Sequence, residues 1–483
     1  MSHRYQHGLV QVGPQLSVDA SQRQITADRS LTALPTEMQN MTLFETFGSL
    51  VDGAGGIVEF EDMLKRPLDS FKYLLGTIET GEVMLPQSIL KLNTVLLATT
   101  NDVMLEAFRE HHEYPSFRDR LTMVPVPYIT RRSTEARIYD LLLVPQVDRH
   151  VAPHAVEAAA HFAVLSRLHK PDPARYPERL QPVIAAIGAM QKCDLYEDGT
   201  LPPGLGDELE AALSAAIRDL RVEDAGTWQY EGRFGASPRL IRQILLSAAI
   251  SEEHACLSPF AVIAELEALC IRVREHPFLD RQPEPGGYHD FRGFVGAVEE
   301  RILDGIEREV RVASGLIDEQ RHEQLLEKYL THVKHAIKGE KVENPATGQA
   351  EDPDRQMMES VEDDLGVDPG ERGGFRDGVF SRIAAWAIEH PRERPRVGQV
   401  LAAHLRRLED AYYAKHRQRL ARLARAAIEV LDGDERPATA AAEREAAKHL
   451  LERLTADAGY CRSCARDALV GLVVRRFADE GDN

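Results

Sequence analysis

Long hydrophobic runs are missing from this 483-residue sequence, so nothing in it reads as a membrane span. The first residues, MSHRYQHGLVQVG, contain no apolar core of the kind a signal peptide needs. Cysteine is scarce, five in the whole chain, which excludes a disulfide framework and fits a reducing compartment. A cytoplasmic protein is expected. Positive charge is outweighed: 58 Lys and Arg against 77 Asp and Glu give a formal net charge of −19. That is the opposite of a nucleic-acid footprint or of a surface made for anionic lipid. Proteins and small molecules are the expected partners, with no nucleic acid and no membrane among them.

What is present is a 43% hydrophobic, 28% charged composition, that of a folded protein, on a chain too long for a single core. Up to about residue 150, short apolar runs (GIVEF, TVLLATTN, LTMVPVPYI) alternate with amphipathic stretches such as EDMLKRPLDSFKYLLGTIET. Strands alternating with helices favour a parallel sheet in an α/β domain. Beyond that point the strand signal fades and helical spacing takes over, as in HAVEAAAHFAVLSRLHK, LGDELEAALSAAIRDL and GFVGAVEERILDGIEREVRVA. Breaks rich in proline and glycine fall at 276–291, 339–356 and 366–375, the second expected as an ordered loop. The last hundred residues or so read as long helices with charged outer faces. The fold class expected is α/β followed by all-α.

Four stretches carry chemistry. In GGIVEFEDMLK an apolar strand runs into Glu59, Glu61 and Asp62. A strand ending in acids can place one carboxylate near Mg²⁺ and another where it polarises an attacking water. In KLNTVLLATTND the strand ends at Asn101, which either starts a turn through its own backbone bonds or presents an amide at the sheet edge. YPSFRDRLTMVPVPYI reads as a further strand entered past Arg118 and Arg120, where a cation could reach a phosphate held by a neighbouring subunit. In FGASPRLIRQILLSAA, Ser237 can cap, Pro238 suits the first turn, and Arg239 starts a helix whose inward face carries Leu240, Ile244 and Leu245.

The order acidic strand end, polar-tipped strand, arginine-flanked strand resembles the second half of an AAA+ ATPase core, and FGASPR resembles the start of its sensor-2 helix. The resemblance narrows to the PrkA family of bacterial serine protein kinases, which join an AAA+ module to a helical C-terminal domain. GGIVEFEDMLKRPLDSFKYLLGTIETG, LLATTNDVMLEAF, VPYITRRSTEARIYD, FGASPR, CLSPFAVIAELEALC, GYHDF and KGEKVENPATGQAEDPDRQMMESVE carry it, in the family's order, from about residue 40 to about 390.

The resemblance implies the C-terminal part of an AAA+ core at 1–150, a helical lid at 151–255, a PrkA-type helical domain at 256–390 and a C-terminal helical region at 391–483. Glu59 and Asp62 match the acids of the family's "EF" strand, with Asp62 the expected water-polarising carboxylate. Glu61 sits where relatives commonly have an apolar residue, yet it restores an acid pair. Asn101 matches the sensor asparagine, Arg120 the "DR" arginine and Arg239 the sensor-2 arginine. ATP and Mg²⁺ are the implied cofactors, a protein the implied substrate and phosphorylation the implied reaction. A ring-like homo-oligomer follows from AAA+ sites forming between subunits.

The departure from the family is the P-loop. No G-x-x-x-x-G-K-[ST] occurs in the sequence, and members carry it well before the "EF" strand. A separated front part, a translation start read too far downstream, or a natural AAA+ remnant would each account for this, and tight ATP binding is not expected without the cradle. Nor do H-R-D-x-x-x-x-N or D-F-G occur, so no phosphotransfer base is named. Three functions therefore stand: an ATP-dependent serine kinase, a non-catalytic regulatory or scaffold subunit, and an ATP-driven protein remodeller. CRSC at 461–464 is a C-x-x-C, but a structural zinc needs four ligands and only His449 is near in sequence. The pair reads as two cysteines on a helical turn, Cys256 and Cys270 as core thiols, and no metal site is assigned.

Overall fold

The computed structural model describes residues 8–13, 19–24, 35, 44–86, 88–224, 229–315, 319–343, 349–389, 400–433 and 441–478. The chain divides into two compact units, residues 1–125 and 126–483.

The first unit is built on strands β1 (Leu9–Val12), β2 (Ser21–Gln24), β3 (Phe44–Phe47), β4 (Ile57–Phe60), β5 (Glu82–Met84), β6 (Ile89–Lys91) and β7 (Val95–Ala98). Three of them form a parallel sheet in the order β1-β4-β7, so the acid-bearing strand lies in the middle. In register, Val10, Val58 and Leu96 stand side by side, as do Val12, Phe60 and Ala98. Because side chains alternate along a strand, this face meets a core of Leu50, Met63, Phe71, Leu74 and Phe117. The other face carries Leu9, Val95 and Leu97, each about half exposed. The pairs β2–β3 and β5–β6 are antiparallel.

Two sequence expectations fail here for the same reason. EDMLKRPLDSFKYLLGTIET is not one helix but two short 3₁₀ turns, Met63–Lys65 and Leu68–Ser70, followed by a helix at Leu74–Thr80. Pro67 stands between the turns and has no N–H to give. LTMVPVPYI is not a strand: residues 121–131 hold no regular secondary structure. Pro125 and Pro127 remove alternate ladder donors, Val124 and Val126 are exposed, and the division between the units falls in this segment.

The second unit is helical. At its centre the Ala155–Arg167 helix is buried along nearly its whole length, its alanines allowing neighbours close approach while favouring helix. Helices Arg132–Leu142, Pro238–Ala249, Pro259–Ile271 and Phe291–Ala313 pack on it. Their core is continuous with that of Ala402–Asp432, Ala441–Asp457 and Arg462–Arg476. A smaller core joins Glu319–Lys338, Arg355–Asp364 and Arg372–Glu389 to the start of the Ala402–Asp432 helix. Within the loop at 339–356, β8 (Val342–Glu343) pairs with β9 (Ala350–Glu351), and residues 344–348 lie outside the described residues. Among the described residues no helix is long and apolar enough to cross a membrane. The α/β unit followed by a helical one is the fold class the sequence led us to expect.

Candidate nucleotide site

The C-terminal edge of the parallel sheet is where an open α/β sheet offers a ligand its loops, and four of the expected site residues gather at β4 and β7, two of the three strands ending there. Glu59 is on β4 itself, half-buried on the open face between Gln11 and Leu97. Glu61 follows the strand: its N–H donates to Val12 O at 2.9 Å and its carboxylate accepts from Gln11 Nε2 at 3.3 Å. Asp62 takes a left-handed backbone, φ 48°, a conformation Asp tolerates better than most residues. Its N–H donates to Thr99 Oγ1 at 3.2 Å, and the next N–H, of Met63, donates to Thr99 O at 2.9 Å. The turn after β4 is thereby tied to the tip of β7, two residues before Asn101. The Asp62 carboxylate pairs with Lys65 Nζ at 2.6 Å.

Asn101 does what the plain reading of its type allows. As N-cap of the Asp102–Arg109 helix its Oδ1 accepts the Met104 N–H at 2.9 Å. Arg120 is engaged, with Glu79 Oε1 2.5 Å from one of its terminal nitrogens and Ser116 O 2.6 Å from the other. Arg118 pairs with its neighbour Asp119 at 2.9 Å. The Arg120 pair is partly exposed, so it is worth little and can be exchanged for another anion.

Arg239 belongs to the second unit. It lies exposed on the first turn of the Pro238–Ala249 helix, after Ser237, whose Oγ accepts the Leu240 N–H at 3.2 Å. It makes no hydrogen bond or ion pair with any described residue. A cation there opposes the helix dipole, a placement that suits an anion arriving from outside. The loop before it is held by residues that the sequence reading passed over. Arg167, fully buried, donates to Ala236 O at 2.7 Å and Ile129 O at 2.7 Å and makes a two-pronged pair with Glu135 at 2.7 Å. Ser166 Oγ accepts the Ala236 N–H at 2.8 Å. Tyr139 donates to Glu135 at 2.5 Å, and burial, reinforced by that carboxylate, raises its pKa and keeps it a donor. Gly235, φ 127°, has no room for a Cβ, which would fall 2.7 Å from Arg167 Cγ. An arginine closing an otherwise apolar helix, as in HFAVLSRL, was the signal available for Arg167.

The Glu61 and Asp62 carboxylates and the Thr99 hydroxyl are hard oxygen donors of the kind Mg²⁺ takes. That fit extends to the acid and sensor side of a nucleotide site only, since the sequence supplies no lysine-and-hydroxyl loop for the phosphates.

Two family models match the chain: the PrkA AAA domain over residues 25–175 and the PrkA serine protein kinase C-terminal domain over residues 190–470. Among curated relatives, an ATP-dependent protease PrkA of Bacillus subtilis (strain 168) is 25% identical over 343 residues, 70% of this chain and 50% of the relative. A serine/threonine kinase YeaG of Escherichia coli (strain K12) is 25% identical over 328 residues, 66% of this chain and 46% of the relative. The chain thus spans about half the length of the curated relatives it matches.

Proposed function

This chain belongs to the PrkA family, and from that premise we propose that it works as a PrkA-type serine protein kinase, passing phosphate from ATP to protein serine. The observation that carries this reading is the tie between the Glu61–Asp62 turn and the tip of β7, which sets two carboxylates and a sensor-like asparagine on adjacent strand ends. In this reading Glu61 and Asp62 hold Mg²⁺ and polarise the attacking group, and the Asn101 amide orients it. Arg239 meets phosphate oxygens, and Arg120 exchanges Glu79 for the nucleotide of an adjacent subunit in a homo-oligomer. Bound ATP with Mg²⁺ would supply the phosphoryl group. The names of the relatives divide between kinase and protease, and the acid-and-sensor arrangement favours phosphate chemistry.

A second reading, a regulatory or scaffold subunit without turnover, draws support from the pairing of Arg120 with Glu79. Titration calorimetry with Mg·ATP on the full chain and on Arg239→Ala separates the two. Saturable, Mg²⁺-dependent binding that weakens at least several-fold in the variant, followed by phosphoserine on a protein substrate, supports the kinase. A folded chain that takes up no nucleotide leaves the regulatory reading.

A further inference from the structure

The helical unit brings four potential metal ligands together from three distant parts of the chain. His150, Cys256, Cys461 and Cys464 each offer one ligand atom, and these atoms all lie within 4.8 Å of one another. Cys256 Sγ is 3.2 Å from Cys461 Sγ, and Cys464 Sγ is 3.6 Å from His150 Nδ1. A tetrahedral zinc with Zn–S of about 2.3 Å and Zn–N of about 2.0 Å sets its ligand atoms roughly 3.5–3.8 Å apart. The Cys464–His150 separation of 3.6 Å falls inside that range, and the Cys256–Cys461 separation of 3.2 Å is somewhat shorter than it but well beyond the ~2.05 Å of a disulfide.

The backbone around the cluster is built to hold these groups. Residues 151 and 257 form a parallel bridge, with Leu257 N–H donating to His150 O at 2.9 Å and Ala152 N–H to Leu257 O at 3.0 Å. This sets His150 beside Cys256. Arg149 donates to Ser251 O at 2.6 Å and His254 O at 3.2 Å, anchoring the same loop, and His254 pairs with Asp467 on the last helix at 2.9 Å. Cys461 is the N-cap of the Arg462–Arg476 helix and Cys464 its third residue. The Cys461 N–H donates to Cys464 Sγ at 3.1 Å, and the Cys464 N–H reaches back to Cys461 Sγ. His449, the nearby histidine in sequence, is exposed and faces Glu452 instead.

We propose that His150, Cys256, Cys461 and Cys464 form a structural Cys₃His zinc site that staples the C-terminal helix to the beginning of the helical unit. Four protein ligands leave no open coordination position, which makes the role structural. Three soft sulfurs and an imidazole select zinc over the hard cations that ATP chemistry uses. The inference is independent of whether the chain turns over nucleotide.

The test is elemental analysis of the full chain purified without chelators. About one zinc per chain is expected, lost from Cys461→Ser/Cys464→Ser and retained in Cys193→Ala, whose thiol lies elsewhere in the core. Exchange of cobalt into the unaltered chain gives a second readout that no variant can spoil: intense visible bands of a tetrahedral ion with thiolate charge-transfer absorption in the near ultraviolet. Stripping the zinc should lower the Tm, and restoring it should bring the Tm back. A metal-free folded chain with five free thiols, a Cys256–Cys461 disulfide found by mass after alkylation, or iron with acid-labile sulfide would each overturn the assignment.

Discussion

Asn101 carries two groups with separable duties. Its Oδ1 caps the Asp102–Arg109 helix, while its side-chain nitrogen donates to no described residue. Aspartate caps as well as asparagine but has no amide N–H. Asn101→Ala should therefore cost about 1 kcal/mol in urea unfolding, whereas Asn101→Asp should leave the midpoint nearly unchanged. Nucleotide affinity lost in both variants would place the amide at the phosphate, and affinity kept in Asn101→Asp would reduce the residue to a cap. Two histidines of the helical unit set opposite pH limits. Burial, then the charges of Arg132 and Arg301, push His161 down to about 3 from 6.5, so it is neutral in the fold. Its contribution is complete above about pH 6.5 and is lost as pH falls from there toward about 3. Burial would also depress His154, but bonds to Glu157 and Glu309 at 3.1 and 3.0 Å outweigh it and push its pKa up to about 9. That contribution is complete below about pH 6.5 and is lost as pH rises through about 9. Urea midpoints across a pH series should peak near neutrality. His161→Phe should flatten the acid limb, and His154→Asn, compatible with the left-handed φ of 65°, the alkaline one. An unchanged limb removes that histidine from the account.

The Pro238–Ala249 helix was legible because every signal for it is local: a serine cap, a proline in the first turn and an apolar face at helical spacing. The element that aims it was not. Arg167 grips Ala236 O from another helix, and its partner Glu135 lies 32 residues away. No spacing rule connects them. The failed strand at 121–129 has the same origin, since an apolar run becomes a strand only where a neighbour accepts its hydrogen bonds, and Pro125 and Pro127 offer none. Removing one member of the buried pair leaves the other charged and unpaired, so Arg167→Met should destabilise the helical unit by about 3–5 kcal/mol. Arg167→Met combined with Glu135→Leu should recover a large part of that in the same urea titration. Equal loss in the double variant would mean that the bonds to Ala236 O and Ile129 O, rather than the ion pair, hold the loop.

At the level of the whole molecule, each hydrophobic core among the described residues stays within one unit: the buried side chains of one run from Val12 to Phe117, and those of the two others from Tyr139 to Phe477. The sequence marked a change of pattern near residue 150, where strand-like runs give way to helical spacing, while the boundaries expected near 255 and 390 came from the family resemblance. Compactness follows instead from contacts that no local pattern records, such as Cys464 beside His150 across 314 positions. Residues 126–483 hold their own cores, the Arg167–Glu135 pair and all four proposed zinc ligands. Expressed alone, this segment should show helical circular dichroism, melt cooperatively and retain the metal. Residues 126–457 should not, because Leu469, Leu472 and Phe477 are buried in the same core as the central helix. Losing such side chains costs about 2–5 kcal/mol each, which together rivals the roughly 5–15 kcal/mol that holds an ordinary domain together. A shortened segment that still melts cooperatively would show the last helix to be an attachment, and the site at its N-terminus would then have nothing to staple.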